Sequence, residues 1–175
     1  PREVIVGHNT TDQIKGICSH LAPSNNILLV CDKNTKRISG DRIEKILSGA
    51  GYDLNMVVLS LPLIKRDVLP AWPTIREVNT VVKEATRTGS DFLLGVGGGS
   101  VIDVTKCAAY ELSTNFVSVP TSASHDGMAS PRAALKDKKG SISKTAVSPM
   151  AVLADTAVIM KAPYRMLASG CADVI

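Results

Sequence analysis

One stretch decides the fold: Phe92-Leu93-Leu94-Gly95-Val96-Gly97-Gly98-Gly99-Ser100-Val101-Ile102-Asp103. It runs from an apolar, strand-like segment into three consecutive glycines and on into a helical pattern. Glycine lets the backbone approach a ligand closely and adopt positive φ angles. The free N–H groups at the start of a helix, together with the helix dipole, attract an anion. The stretch therefore predicts a diphosphate site, and the alternative is a glycine turn that binds no ligand.

The spacing of these glycines matches neither of the two common phosphate-binding motifs. No Lys-Ser or Lys-Thr pair follows them, as a P-loop requires. Ser100 stands where a regular G-x-G-x-x-G motif has its last glycine. The strand-turn-helix context therefore carries more of the prediction than the spacing does.

The segments on either side alternate between strand-like and helix-like patterns. An apolar stripe from Ile75 to Ala85 indicates an amphipathic helix, with Pro73 in its first turn and Gly89 as its cap. Continuous apolar runs are typical of strands that a parallel sheet buries on both faces. The predicted fold class is α/β: a Rossmann-like, mostly parallel sheet with helices on both faces. Its six expected strands are Val4–Val6, Ile27–Cys31, Met56–Leu59, Asp91–Val96, Phe116–Val119 and Val152–Ala154.

Three further segments complete this prediction. Residues 60–72 hold two prolines and little periodicity, so we expect a loop. Residues 121–150 are rich in Ser, Ala, Gly and Pro, and we expect a hairpin that lies over the site. Four lysines and one aspartate lie between Lys136 and Lys144, and we interpret them as the solvated tip of that hairpin. Pro163 opens a helix that runs to the end of the sequence.

Composition narrows the class of protein. The chain has 175 residues, 45% hydrophobic and 21% charged, which favours a globular domain over a disordered one. A net charge of +4 is too small to indicate nucleic-acid binding. No apolar run approaches the roughly 20 residues of a membrane helix. No signal peptide is recognisable, and we expect both ends to be cut from a longer protein. The cysteines form no C-x-x-C pair, so we expect core residues in a reducing cytoplasm: Cys18, Cys31, Cys107 and Cys171.

Two more strand ends carry polar residues, and ligands bind to such sheets at strand ends. Asp32 follows the second strand, where a carboxylate commonly accepts hydrogen bonds from a ribose diol. The other interpretation is a helix-approach aspartate beside the candidate N-caps Asn34 and Thr35.

After the fifth strand comes a run dense in small hydroxyls, which suit phosphate and nicotinamide-amide contacts: Pro120-Thr121-Ser122-Ala123-Ser124-His125-Asp126-Gly127-Met128-Ala129-Ser130. Asp126 suits a polyol or carbonyl substrate. His125 alone is more often structural than catalytic. The alternative for the whole run is a turn rich in Ser and Asp.

A last carboxylate is predicted near the end of the sequence. Asp173 has apolar neighbours on its helix, and burying a carboxylate among them is costly unless it is paired or binds a metal. One carboxylate does not make a zinc site, since catalytic zinc takes three protein ligands. His8 and His20 belong to the first strand–helix unit and are unsuitable partners. The residues alone leave metal binding at Asp173 open.

Two motifs together resemble the superfamily of iron-type alcohol dehydrogenases and dehydroquinate synthases: Gly97-Gly98-Gly99-Ser100-x-x-Asp103-x-x-Lys106 and Pro120-Thr121-x-x-Ser124. More narrowly, the run from Val119 to Pro131 and the start from Pro1 to His8 are similar to the glycerol-1-phosphate dehydrogenases, archaeal enzymes of membrane-lipid synthesis. The resemblance covers essentially the whole chain but only the first half of that family's length.

This resemblance implies domains and site residues. Residues 1–161 would form a dinucleotide-binding α/β domain, and residues 162–175 would begin a helical metal-binding domain that is otherwise absent. Asp126 would bind the substrate, and Asp173 would bind both substrate and zinc, with two histidines from outside the chain. These carboxylates are the expected catalytic residues. With the glycine turn and Asp32 added, the expected cofactor-binding residues are Asp32, Gly97, Gly98, Gly99, Ser100, Val101, Ile102, Asp103, Thr121, Ser122, Ala123, Ser124 and Ser130.

The implied reaction is reversible reduction of dihydroxyacetone phosphate to sn-glycerol 1-phosphate, with hydride from NADH or NADPH and zinc polarising the ketone. Asp32 favours NAD, whereas the residues from Lys33 to Arg37 suit a 2′-phosphate, so we expect both cofactors to serve. The Lys-rich hairpin, or residues outside the chain, would meet the substrate phosphate. We expect a homo-oligomer at full length. The alternatives are a glycerol dehydrogenase for unphosphorylated polyols, a dehydroquinate synthase (a lyase on the same scaffold) and a truncated, non-catalytic NAD-binding domain.

Overall fold

The centre of the molecule is a six-stranded sheet whose strands all run parallel. The computed structural model describes residues 1–61, 73–137 and 140–173. The sheet strands are β1 (Glu3–Gly7), β2 (Asn26–Asp32), β3 (Asp53–Leu59), β4 (Phe92–Gly97), β5 (Asn115–Pro120) and β8 (Ala151–Asp155). Their spatial order is β1-β8-β5-β4-β2-β3. The six predicted strands and the α/β class are confirmed, with β3 beginning three residues earlier than expected.

Helices join the strands, as the alternation predicted. They are α1 (Ile14–Leu21), α2 (Lys33–Thr35), α3 (Asp41–Gly49), α4 (Ile75–Thr88), α5 (Gly99–Glu111), α6 (Thr156–Ile159) and α7 (Tyr164–Asp173). Short 3-10 turns cover Thr11–Gln13 and Asp126–Met128, and a π-helical segment covers Lys36–Gly40. The predicted hairpin is present as antiparallel strands β6 (Arg132–Asp137) and β7 (Gly140–Thr145).

Two hydrophobic cores lie on opposite faces of the sheet. On one face, α1 and α3 pack against the strands through Ile14, Ile17, Ile43 and Leu47. On the other face, α4, α5 and the hairpin share a second core, which includes Val78, Val81, Ile102, Val104, Ala133 and Leu135. Strand β2 contributes to both cores with alternate side chains, and Ile27 to Cys31 are fully buried. Burial on both faces explains why its sequence is continuously apolar.

The start of α4 differs from the prediction. Pro73 was expected in the first turn, but the helix begins at Ile75 with Thr74 as its N-cap. The Thr74 hydroxyl accepts the Arg76 N–H at 3.2 Å, and Glu77 Oε2 accepts the Thr74 N–H at 2.9 Å. This Thr-x-x-Glu capping box is the signal that outweighs proline. At the other end Gly89 caps the helix with φ of +68°, as predicted.

The sequence also predicted which cysteines and lysines are buried or exposed. Cys18, Cys31 and Cys107 are buried as expected, but Cys171 is exposed, because α7 lies on the surface with no buried residue. At the hairpin, Lys136 and Lys144 are exposed, in agreement with a solvated tip. Lys138, Lys139 and nearly all of the predicted loop at 60–72 lie outside the described residues. Within the described ranges, no helix combines the length and apolarity that crossing a bilayer demands.

Asp155, at the end of β8, ties three segments together. Its Oδ1 accepts the N–H groups of Asn9 and Ala157, both at 2.9 Å, and its Oδ2 accepts the N–H of Thr11 at 3.0 Å. Burial alone raises the pKa of this carboxyl, but these hydrogen bonds and one from the Thr11 hydroxyl outweigh it and hold the pKa below its usual value. The ionised form therefore fixes the chain after β1 and the start of α6.

We expect Asp155→Asn to lower the free energy of unfolding by about 2 kcal/mol at pH 7, because an amide replaces a charged acceptor of several N–H groups. A lowered folded-state pKa means that the contribution is complete above the ordinary value and is lost as pH falls through the folded value. In urea unfolding, the wild-type chain should therefore be less stable below about pH 4 than at pH 7, and the variant should lose less stability over the same range. Asp53→Asn, at an exposed aspartate at the start of β3, is the matched control. Equal effects of the two substitutions would contradict this role.

Candidate active site

The strand order creates a crevice at the carboxyl edge of the sheet. Strands β2 and β4 are neighbours, but the chain leaves β2 for β3 on one side and leaves β4 for β5 on the other. At such a switch point the two following loops part and leave room for a ligand. The β2–β4 pairing reaches Val30 and Gly95, and Asp32 and Gly97 each lie two residues further on. The structure therefore brings Asp32 and the glycine turn to the same crevice.

The glycine turn opens α5 through close packing. None of Gly97, Gly98 and Gly99 has a positive φ, so that part of the expectation is wrong. Space is the reason for glycine here: a Cβ on Gly97 would lie 2.5 Å from the Cβ of Val101, and one on Gly99 would lie 2.4 Å from the ring of His125. Gly98 is the N-cap and offers no side-chain oxygen to the first turn. This helix start therefore presents backbone to the crevice, which suits an anion.

Val101 and Ile102, which follow the glycine turn on α5, are buried in the core. Both of their N–H groups donate to the carbonyl of Gly98 at 3.1 Å. Their side chains belong to the packing of α5 against the sheet. Binding of a cofactor by Ser100, Val101 and Ile102 stays a prediction.

Asp32 is itself a helix cap. Its Oδ1 accepts the N–H groups of Asn34 at 2.7 Å and Thr35 at 2.9 Å, and its own N–H donates to the Thr35 hydroxyl at 3.0 Å. The expectation that Asn34 or Thr35 is the N-cap is therefore wrong, because Asp32 fills that position in a reciprocal box. Its contact with a ribose stays a prediction.

The loop after β5 lies beside the glycine turn, as the neighbouring strand ends predicted. The N–H of Thr121 donates to the Gly97 carbonyl at 3.0 Å. The Ser122 hydroxyl lies 3.2 Å from where a Cβ on Gly98 would be, and it donates to the Ser124 hydroxyl at 3.3 Å. The segment from Thr121 to Ser124 therefore lines the turn with small polar groups.

A buried ion pair holds the next part of this loop. Lys106 is fully buried and lies with its Nζ 3.3 Å from Asp103 Oδ1, while it donates to the carbonyls of Gly127 and Arg132 at 2.7 Å. Asp103 Oδ2 accepts the Ala134 N–H at 3.1 Å. Burial raises the pKa of Asp103 and lowers the pKa of Lys106, and each charge opposes the shift of the other. Asp103 thus faces the hairpin, and its assignment to the cofactor stays a prediction.

The role of Lys106 was not predicted from the sequence, where it was named only as part of the family motif. The sequence does carry a partial signal, because a lysine three residues after an aspartate on a mostly apolar helix suits a buried ion pair. Ser130 also belongs to this loop, where its hydroxyl accepts the Arg132 N–H at 3.4 Å. Its contact with a cofactor stays a prediction.

The two predicted catalytic residues are in contact in the structure through one backbone group. The N–H of Asp126 donates to Asp173 Oδ2 at 3.0 Å. Helix α7 approaches the loop so closely that a Cβ on Gly170 would lie 2.0 Å from the Ala123 carbonyl oxygen. Asp126 and Asp173 are both exposed, and residues 174 and 175, two of the apolar neighbours predicted for Asp173, lie outside the described residues. Exposed carboxylates can accept hydrogen bonds from hydroxyl groups or bind a cation.

A complete metal site is not formed by the part of the chain that the structure describes. No three of its His, Cys, Asp and Glu side chains lie close enough together to hold an ion. Asp173 is thus a single candidate ligand there, and catalytic zinc takes three protein ligands.

Comparisons with known proteins identify a matching family and similar relatives. Residues 5–163 match the iron-containing alcohol dehydrogenase family. The whole chain is 41% identical to glycerol-1-phosphate dehydrogenase [NAD(P)+] of Methanococcoides burtonii and 45% identical to that of Methanoculleus marisnigri. It spans 46% and 45% of the length of these two curated relatives.

Solved structures share the fold. A probable glycerol dehydrogenase from Sinorhizobium meliloti superposes with a TM-score of 0.79 at 26% identity, over 99% of this chain and 44% of that one. An iron-containing alcohol dehydrogenase from Thermotoga maritima superposes with a TM-score of 0.81 at 21% identity, over 99% of this chain and 51% of that one. Both therefore match this chain along its length and extend well beyond it.

We expect Lys106→Met to lower the free energy of unfolding by about 3–5 kcal/mol, because it leaves the Asp103 charge buried without its partner. The double variant Asp103→Asn/Lys106→Met removes that charge and should recover part of the loss. Lys45→Met, at an exposed lysine on α3, is the matched control and should change stability by less than about 0.5 kcal/mol. Urea denaturation measures all three. A single variant no less stable than the double variant would contradict the pairing.

Proposed function

The chain belongs to the iron-containing alcohol dehydrogenase family, and from that premise we propose that it is the nucleotide-binding half of an NAD(P)-dependent sn-glycerol-1-phosphate dehydrogenase. The reaction is the reduction of dihydroxyacetone phosphate to sn-glycerol 1-phosphate. The hydrogen bond from the Asp126 N–H to the Asp173 carboxylate, in a loop packed against the glycine turn, carries this proposal. The names of the relatives at 41% and 45% identity support the choice of substrate.

The proposed domains divide near the end of the sheet. Residues 1–161 hold every strand that the structure describes, which supports a dinucleotide-binding domain over this range. Residues 162–175 begin a helical, metal-binding domain. The exposure of α7, which has no buried residue, supports this division.

The chain's own residues would hold the cofactor in three places. Backbone N–H groups at the start of α5 bind the diphosphate, Asp32 accepts from a ribose, and the segment from Thr121 to Ser124 contacts phosphate or the nicotinamide amide. Gly98 and Gly99 are only half-buried at the start of α5, and the Ser122 hydroxyl lies beside Gly98, which supports this fit. The bound nicotinamide supplies the hydride. Asp126 and Asp173 hold the substrate by accepting hydrogen bonds from its hydroxyl groups.

We also propose that Asp173 is a zinc ligand. Asp173 is an exposed carboxylate at a helix end, which suits a metal ligand, and two further ligands would come from outside these 175 residues. Because the described residues do not complete the site, no step of the reaction is assigned to the metal here.

Dual use of NAD and NADP is supported by the surroundings of Asp32. Lys33 and Arg37 are exposed and suit a 2′-phosphate, whereas Lys36 is paired with Asp41. The relatives carry the designation NAD(P)+ in their names. A role in lipid synthesis, a cytoplasmic location and a homo-oligomer stay predictions.

The substrate phosphate has two candidate contacts, the Lys-rich hairpin and residues outside this chain. Lys136 lies beside α4, where its N–H donates to the Pro73 carbonyl at 2.8 Å. Lys144 pairs with Ala133, next to Arg132, whose carbonyl accepts from the same Lys106 ammonium as the Gly127 carbonyl does. Lys144 is therefore the described hairpin lysine closer to the loop that carries Asp126, and both candidate contacts stay predictions.

Glycerol dehydrogenase is the second candidate, which the 26% identity to the Sinorhizobium meliloti structure favours. It takes a polyol without a phosphate. The two functions differ in one substrate group and are separable by one assay.

We expect the complete protein, supplied with zinc, to oxidise NADH and NADPH with dihydroxyacetone phosphate and to form the sn-1 product. Asp126→Asn and Asp173→Asn should each lower kcat/KM by about 10- to 100-fold, since each weakens a charged hydrogen bond to the substrate. Asp53→Asn is the control. Oxidation with dihydroxyacetone alone would favour glycerol dehydrogenase. If neither dihydroxyacetone phosphate nor dihydroxyacetone supports oxidation of the cofactor, although NADH binding is measurable, only a nucleotide-binding domain would remain.

We expect Gly97→Ala to weaken NADH binding about tenfold, because the added methyl displaces Val101, and with it the start of α5, from the end of β4 and costs about one charge-assisted hydrogen bond. Gly49→Ala in α3 is the control, since its Cβ would meet nothing within 4 Å. Isothermal titration with NADH measures both. Unchanged binding in Gly97→Ala would argue against the turn as the diphosphate site.

A further inference from the structure

Gly127 is held by side chains on both of its backbone polar groups. Its N–H donates to His125 Nδ1 at 2.8 Å, and its carbonyl accepts from Lys106 Nζ at 2.7 Å. These groups belong to the two successive peptide planes that follow Asp126. A planar peptide fixed at its N–H or its carbonyl has little freedom left. The orientation of Asp126 therefore depends on His125 and Lys106.

The His125 side chain links this turn to the start of α5. His125 is the N-cap of the 3-10 turn Asp126–Met128. Its ring packs against Gly99, where an added Cβ would lie 2.4 Å from both Cδ2 and Nε2 of the ring. A Cβ on Gly127 would lie 2.7 Å from His125 Nδ1. Glycine at both positions lets the ring fit between the glycine turn and the Asp126 turn.

The two nitrogens of this ring have different surroundings. Since Nδ1 accepts a hydrogen bond, a neutral ring carries its proton on Nε2. Nε2 is buried and has no hydrogen-bond partner among the described residues. Only Nδ1 thus acts on the turn that carries Asp126, and the two nitrogens can be tested separately.

Lys106 holds the turn from the other side. Its ammonium is fully buried, is paired with Asp103 and also donates to the Arg132 carbonyl. Asp126 in turn donates its N–H to Asp173. A continuous series of contacts therefore runs from α5 to both exposed carboxylates.

We propose that His125 and Lys106 are positioning residues that hold the Gly127 peptide groups and so place Asp126 and Asp173 for the substrate. The proposal rests on the proposed function, because it assigns the two carboxylates to substrate binding. His125 acts through Nδ1, and neither positioning residue touches the substrate.

The test compares three substitutions of His125 in the complete protein. His125→Phe keeps a ring against Gly99 but removes the acceptor, and it should raise the KM for dihydroxyacetone phosphate about tenfold. The Kd for NADH should stay within about twofold of wild type. His125→Asn places a carbonyl oxygen near the position of Nδ1 and should restore most of the lost KM. His125→Gln extends its amide toward the position of Nε2 and should not.

The outcomes separate this inference from the proposed function. If the wild-type protein is inactive with dihydroxyacetone phosphate, the proposed function is wrong. If the wild type is active and the His125→Phe variant has the same KM, the positioning role is wrong. Rescue by His125→Gln but not by His125→Asn would show that Nε2 is the important atom, and equal changes in KM, NADH binding and thermal midpoint would show a merely structural residue. His20→Phe, at an exposed histidine on α1, is the matched control and should change none of these.

Discussion

The burial of one ammonium group constrains the whole region around the crevice. Lys106 lies on a helix packed between sheet and hairpin, where a lone charge is costly. Asp103 on the same helix supplies the opposite charge, and the carbonyls of Gly127 and Arg132 accept hydrogen bonds from the ammonium group. Helix, loop and hairpin must therefore keep one mutual arrangement for the ammonium to be satisfied. That arrangement places the loop after β5 against the start of α5.

Close approach imposes the second constraint. The start of α5 meets the loop after β5 with no room for a side chain on Gly99, whose Cβ would lie 2.4 Å from the His125 ring. A helix start built from glycines presents backbone N–H groups rather than functional side chains, and these recognise a phosphate without a charged residue. The polar side chains that define chemistry are then supplied by neighbouring segments, with Asp32 on one side and Asp126 on the other. The division of tasks follows from the packing.

Local patterns predicted most of the fold, because burial on both faces of a parallel sheet leaves continuous apolar runs in each inner strand. The errors had both local and long-range causes. The start of α4 at Thr74 rather than Pro73 is set by a capping box with Glu77, which is a local signal, whereas Cys171 is exposed because α7 lies on the surface. The role of Lys106 was not predicted because two of its partners lie 21 and 26 residues away, although its third partner, Asp103, is only three residues before it. Spacing can suggest a helix face but cannot show what lies against it.

The two parts of the site place opposite demands on the chain. A diphosphate bound by backbone dipoles is best served by a rigid, desolvated cradle, since fixed dipoles act more strongly where water is excluded. A substrate must enter and leave, so the carboxylates proposed to bind it have to be reachable, and Asp126 and Asp173 are exposed. Rigid placement of exposed groups then requires support from behind. In the positioning role proposed above, the Gly127 peptide groups supply it, because buried Lys106 and half-buried His125 restrain the backbone while the Asp126 side chain stays open to solvent.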